Sequence, residues 1–174
     1  MLTKKDISSI PPYYQPYVDI APDQPIIEAL RSSGIPIIEV ARDRWKELGD
    51  KRYATGKWTV KEVIQHCIDT ERVFAYRAMR IGRSDTTVLP GFDQHVFATH
   101  ADVSELSVDR MIKELIIIRQ SSIYLFEGLS AEAMCRRAIA SGTEQQVLLI
   151  GFLIAGHLLH HQQVIEDRYY PLLA

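Results

Sequence analysis

Between Val147 and Ala155 the chain reads VLLIGFLIA, with no charge and no strong hydrogen-bonding side chain. A helix that is apolar on every side has to be surrounded by other elements. The helix that contains this segment is expected to start at about Thr143, with Gln146 as its capping partner, and to run to about Asp167. The rest of the chain therefore has to supply helices whose apolar stripes wrap it.

Three further helical segments meet that need. The first runs from about Gln24 to Leu48, with Asp23 as N-cap and Pro25 in the first turn. Ser32-Ser33-Gly34 and Pro36 kink or split it, and Gly49 stops it. The second has the clearest start. In GKWTVKEV, Thr59 is the N-cap, Glu62 completes a capping box, and Trp58 and Val63 take the staple positions. Val60, Val63, Ile64, Cys67, Phe74, Ala75 and Ala78 then keep the 3.6 period, and the helix ends near Gly82. The third lies between Ser107 and Gly128. No stretch alternates as a strand does. The reading is an all-α four-helix bundle over residues 24–174, preceded by an irregular, proline-rich arm over 1–23 that packs on the outside through Tyr13, Tyr14 and Tyr17. Residues 83–106 form a long crossover connection between helices 2 and 3, with a short helix over Asp93–His100.

Length and charge narrow the partners. The 174 residues suit one domain with one sizeable core. A formal net charge of −2 gives no reason to expect nucleic acid, which would favour a basic face. No basic amphipathic segment invites a membrane surface, and no uninterrupted apolar run reaches the ~18 residues that would span a bilayer. The start, MLTKKDISSIPPYYQPYVDI, is unlike a signal peptide. Two cysteines, Cys67 and Cys135, are too few for a disulfide framework or a thiolate cage. A cytoplasmic protein with free thiols is expected.

The chemistry concentrates in IAGHLLHHQQVIEDRYY, which holds His157, His160 and His161. His157 and His161 are one turn apart on a face shared with Ile150 and Ile154, so both rings point toward the core. A buried imidazole left without a partner costs ~1–3 kcal/mol, and one metal ion would satisfy two of them. A third ligand is available in His66, about two turns into the second helix. If the second and fourth helices run antiparallel, all three fall near one end of the bundle. Spacing alone leaves three readings open: a metal pair, a satisfied core pair, or a metal-free dimer interface lined by His160 and Tyr169.

Other candidates surround this trio. Glu71 lies in the apolar stripe of the second helix and is expected to pair with Arg44 or Arg119, or else to orient a metal-bound histidine. Asp93 and His95, on the long connection, would touch a substrate or supply a base if that loop folds over the metal end. Cys67 points away from its neighbour His66 and reads as core.

GKWTVKEVIQHCIDTERVFAYRAMRI, LPGFDQ and AGHLLHHQQVIEDRYYP, in this order and spacing over residues 24–171, resemble the DinB-like superfamily, which includes YfiT-like metal-dependent hydrolases. The resemblance implies a four-helix bundle, often homodimeric, with a divalent metal on one histidine of the second helix and a His-x-x-x-His pair of the last. Here these are His66, His157 and His161. It further implies a metal-dependent enzyme acting on a small molecule, either a transferase that uses a low-molecular-weight thiol or a hydrolase. A non-catalytic metal-binding stress protein is the alternative. Three imidazoles would leave open positions on the ion, and zinc and nickel both suit such ligands.

Overall fold

Proline and glycine punctuation sets where the elements break. In the computed structural model, which describes residues 1–173, 3-10 turns at Lys4–Asp6 and Pro12–Tyr14 lead into α1 (Gln15–Ile20), α2 (Ile26–Ser32), α3 (Ile35–Leu48) and α4 (Val60–Gly82). Next come α5 (Gln94–His100), α6 (Val108–Glu127) and α7 (Ala131–Cys135). A hairpin of β1 (Arg137–Ala140) and β2 (Thr143–Gln146) precedes α8 (Val147–Arg168) and a last 3-10 turn, Tyr170–Leu173. Ala174, the end of the expected bundle domain, lies outside the described residues.

Local capping chemistry places most helix starts. Thr59 Oγ1 accepts the Glu62 N–H at 3.1 Å and the Glu62 carboxylate accepts the Thr59 N–H at 2.6 Å, a complete capping box at the start of α4. Ser107 caps α6, and Asp93 caps α5 by accepting the His95 and Val96 N–H groups. The first helix is split at Ser33–Gly34, with Pro36 in the first turn of α3, where its missing N–H is no loss. Asp23 does not cap α2. Pro25 holds an extended ψ of 148°, so the helix begins at Ile26 and Asp23 is too far out to reach its free N–H groups.

The four long helices α3, α4, α6 and α8 form the bundle. α4 packs against both α6 and α8, α3 against α6, and the short α2 against α6 and α8. α4 and α8 run antiparallel, since His66 meets His157 while Gly82, at the other end of α4, takes a hydrogen bond from Arg136, which precedes α8 through the hairpin. α8 is long and apolar enough to cross a membrane by composition, but 72% of its most apolar stretch is buried inside the protein. Its apolarity is that of a central core helix, as the Val147–Ala155 segment requires.

Two expectations are corrected. Residues 137–146 form an antiparallel hairpin, with Ala140 opposite Thr143, where no strand was expected. Its two-residue turn is Ser141-Gly142, with φ of 52° and 76°, and positive φ at both positions matches the twist of a tight hairpin. The pairing commits residues 143–146 to the strand, so α8 starts at Val147 and Thr143 caps nothing. Leu89 extends the hairpin, donating to Ile139 O and accepting from Ser141 N, which fixes the long connection just before Pro90. The N-terminal arm packs on the bundle, but its residues Gln15–Ile20 form a helix where irregular chain was expected. Tyr14 and Val18 are buried, α1 packs on α8, and the Gln146 side chain ties the arm down by accepting from Ser8 N at 2.8 Å and donating to Asp6 O at 3.2 Å.

The apolar interior is divided. One cluster holds Phe74, Ala78, Ile123, Phe126 and the first half of α8; the other holds Val60 to Ile68, Met111 to Leu115, Leu158 and Ile165. Between them, at the same level on α4, α6 and α8, lie the buried polar groups Thr70, Glu71, Arg119, Ser122 and His157. The candidate site grows out of this polar layer.

Candidate metal centre

His66 sits two turns beyond the Thr59 cap, and the antiparallel α8 brings His157 and His161 to the same level. The His157 Nε2 lies 3.0 Å from His66 Nε2 and 3.2 Å from His161 Nε2. One ring nitrogen from each of the three falls within 4.8 Å of the others. Two nitrogens held at about 2.0–2.1 Å from one ion lie about 2.9–3.4 Å apart for angles between 90° and tetrahedral, so both short spacings fit a shared cation.

Burial decides the protonation state of the trio. His66 and His157 are buried and His161 is half-buried. Desolvation, with the neighbouring imidazoles adding to it, pushes His66 down to about 4 and holds His157 and His161 well below the usual histidine value. Three neutral rings result, the form in which imidazole binds metal. Thr70 Oγ1 lies 3.4 Å from His66 Nδ1, and a proton placed on Nδ1 to donate there leaves the Nε2 lone pair facing His157. Lone pairs converging on one point repel unless a cation or proton lies between them.

Aromatic rings frame the trio. The Trp58 ring lies between His66 and His95, with centroid distances of 5.0 and 5.6 Å. Tyr17 of α1 covers His157 and His160 at 5.5 and 5.2 Å. It can approach this closely because α8 has Gly156 at the crossing, where a Cβ would run into the Tyr17 carbonyl. The Tyr169 hydroxyl donates to the Trp58 carbonyl at 2.6 Å. A cavity of about 680 Å³ opens beside the trio, bounded by His66 and His157, the arm, the 91–94 segment and the hairpin turn. His161 is outside its wall.

A family model described as the DinB superfamily matches residues 38–165, which span both helices of the trio. The chain belongs to the DinB superfamily. Among solved structures, YfiT from Bacillus subtilis, described as a probable metal-dependent hydrolase with an unusual four-helix bundle topology, is similar at a TM-score of 0.68. The alignment covers 95% of this chain and 91% of that one at 17% identity, a likeness of fold. No curated protein matches the chain in sequence.

Within this DinB bundle the remaining candidates fall in different places. Glu71 is bidentate to Arg119, at 2.9 and 3.0 Å, and it stays off the cavity wall. Arg119 is completed by Leu30 O, Ser33 Oγ and Ile154 O. Of the two expected arginines, Arg44 stacks on Tyr170 instead. Asp93 does reach the cavity wall, but its carboxylate is occupied in capping α5, which lowers its pKa. His95 is exposed, and its ring lies against that of Trp58. Cys67 is buried core, and burial pushes its thiol above the usual range. An interface lined by His160 and Tyr169 is overturned on one side, because Tyr169 is 1% exposed within its own chain. Sequence reasoning missed Arg77 and Ser141, both on the cavity wall. Arg77 had a signal, since positions 66, 70, 74 and 77 share one helix face. Ser141 had none beyond the Ser-Gly turn pair.

Proposed function

We propose that this DinB superfamily chain is a metal-dependent enzyme acting on a small molecule, with a divalent ion, zinc or nickel, held by His66, His157 and His161. The observation that carries the reading is the convergence of three neutral imidazoles beside a 680 Å³ cavity. A cation bound there would lower the pKa of a water or thiol and so supply a nucleophile at neutral pH. The chain's own contribution is geometric. α4 and α8 fix the rings, Thr70 Oγ1 is placed to accept a hydrogen bond from a proton held on His66 Nδ1, and Tyr17 and Trp58 flank the trio on two sides. His66 and His157 face the cavity, so a small molecule resting there meets the trio on its open side. The description of YfiT supports hydrolysis; transfer of a low-molecular-weight thiol to an electrophile uses the same elements.

The test is elemental analysis of purified protein beside the His66→Ala/His157→Ala/His161→Ala triple variant. About one ion per chain is expected in the first and almost none in the second. Hydrolysis of an ester panel and thiol-dependent consumption of an electrophile panel are followed in parallel, and the active one should stop on chelation and in His157→Ala. Equal metal content in wild type and triple variant would overturn the assignment.

A further inference from the structure

Among the described residues two arginines, Arg77 and Arg119, are buried, and one of them has an acid to answer it. Arg119 is closed by Glu71 on both branches of its fork. Arg77, 2% exposed, donates from Nη2 to Pro90 O at 3.0 Å and to Ser141 Oγ at 2.6 Å, both neutral acceptors. Among the described residues it takes part in no ion pair, and the titratable group acting on it is the Tyr14 phenol. Buried arginines are almost always paired, because an uncompensated charge out of water is costly. Arg77 lines the same cavity as His66 and His157. His66, Thr70, Phe74 and Arg77 form one stripe along α4, with about 16 Å of helix rise from the first to the last.

The geometry points to Arg77 as the anchor for a carboxylate on the small molecule that fills this cavity, whose apolar body lies along Phe74, Phe92 and Tyr17 toward the imidazoles. This rests on the reading of the cavity as a substrate site. A carboxylate that takes the place of Ser141 Oγ on Nη2 would meet the planar guanidinium through paired N–H donors. Ser141 Oγ, held against Nη2 by the positive-φ turn, is a second polar group at the anion's position. The aromatic walls favour a flat or aryl body.

The carboxylate could belong to the molecule being modified or to a thiol co-substrate, and two isosteric pairs separate these. Benzoate against benzamide, and N-acetylcysteine against its amide, are titrated by calorimetry into purified protein, both as isolated and after chelation. At least one acid should bind about tenfold or more tightly than its amide, a ratio typical of a charge-assisted pair. Preference for benzoate assigns the anion to the modified molecule, and preference for N-acetylcysteine alone assigns it to the thiol. The preference should vanish in Arg77→Gln and be partly kept in Arg77→Lys. Because Arg77 is buried, Ser141→Asp is the companion variant. It lies on the exposed turn and places a carboxylate of the chain against the guanidinium, so it too should abolish the preference while circular dichroism stays unchanged. A preference absent from both pairs, or surviving in Ser141→Asp, overturns the proposal, as does one that chelation removes. A protein without metal that still shows an Arg77-dependent preference would fail the metal reading and leave this one standing.

Discussion

Acid should destabilise the chelated protein through its histidines. Each of the trio has a folded pKa below its unfolded value, so above pH ~6.5 both states are neutral and nothing is lost. As the pH falls toward 4, the value to which His66 is pushed, the unfolded chain takes up protons that the folded chain refuses. Stability then drops by ~1.4 kcal/mol per pH unit for each such histidine. Urea unfolding of chelated protein between pH 7 and 4.5 should show a steep fall that is largely absent in the triple alanine variant. The Glu71–Arg119 pair gives a second expectation at this scale. Arg119→Met should cost about 3–5 kcal/mol by leaving a carboxylate buried and unpaired, while Glu71→Leu with Arg119→Met should cost much less. Equal losses in the single and double variants would show that the pair does not act as one unit. These residues were legible in the sequence for a common reason. A His-x-x-x-His pair and an acid in an apolar stripe are both polar groups at helical positions that have to be buried, so each demands a partner. Which arginine answered Glu71 was not legible, because Arg44 and Arg119 are distinguished only by how the helices cross.

At the scale of elements, the docking of α1 on α8 shapes the site wall. Gly156→Ala would drive a methyl group into the Tyr17 carbonyl, and the arm would have to lift. A loss of about 1–3 kcal/mol is expected, with faster proteolytic cleavage within residues 1–21. An arm still protected from protease would show that α8 yields instead. This contact also shows where sequence reasoning runs out. The starts of α4, α5 and α6 were readable because each cap is made by residues within three positions of one another. That the arm packs through its tyrosines was readable, but its seat on α8 and the cavity were not, because Gly156 meets Tyr17 across some 140 residues and neither residue signals the other. The hairpin escaped for a different reason. RAIA and TEQQ lack clean alternation, since Gln145 and Gln146 are buried polar residues held by Tyr14, Ser8 and the backbone.

For the whole molecule, the polar layer between the two apolar clusters is where an ion would act on stability. A cation bound by His66 on α4 and by His157 and His161 on α8 links the two helices at the level where apolar packing is interrupted. With free ion at 100 times its dissociation constant, ~2.7 kcal/mol of added stability is expected. Thermal melts against increasing zinc or nickel should rise with concentration in the wild type and stay flat in the triple variant. The enclosure of Trp58 makes the same event visible to light. Tyr169 holds its backbone carbonyl and His66 and His95 flank its indole, whereas the other tryptophan, Trp45, is sealed in the core. Emission from Trp58 should dim when a flanking ring gains a proton and change if His66 takes up a quenching cation such as nickel, which would make this indole a built-in fluorescent gauge of the proposed site.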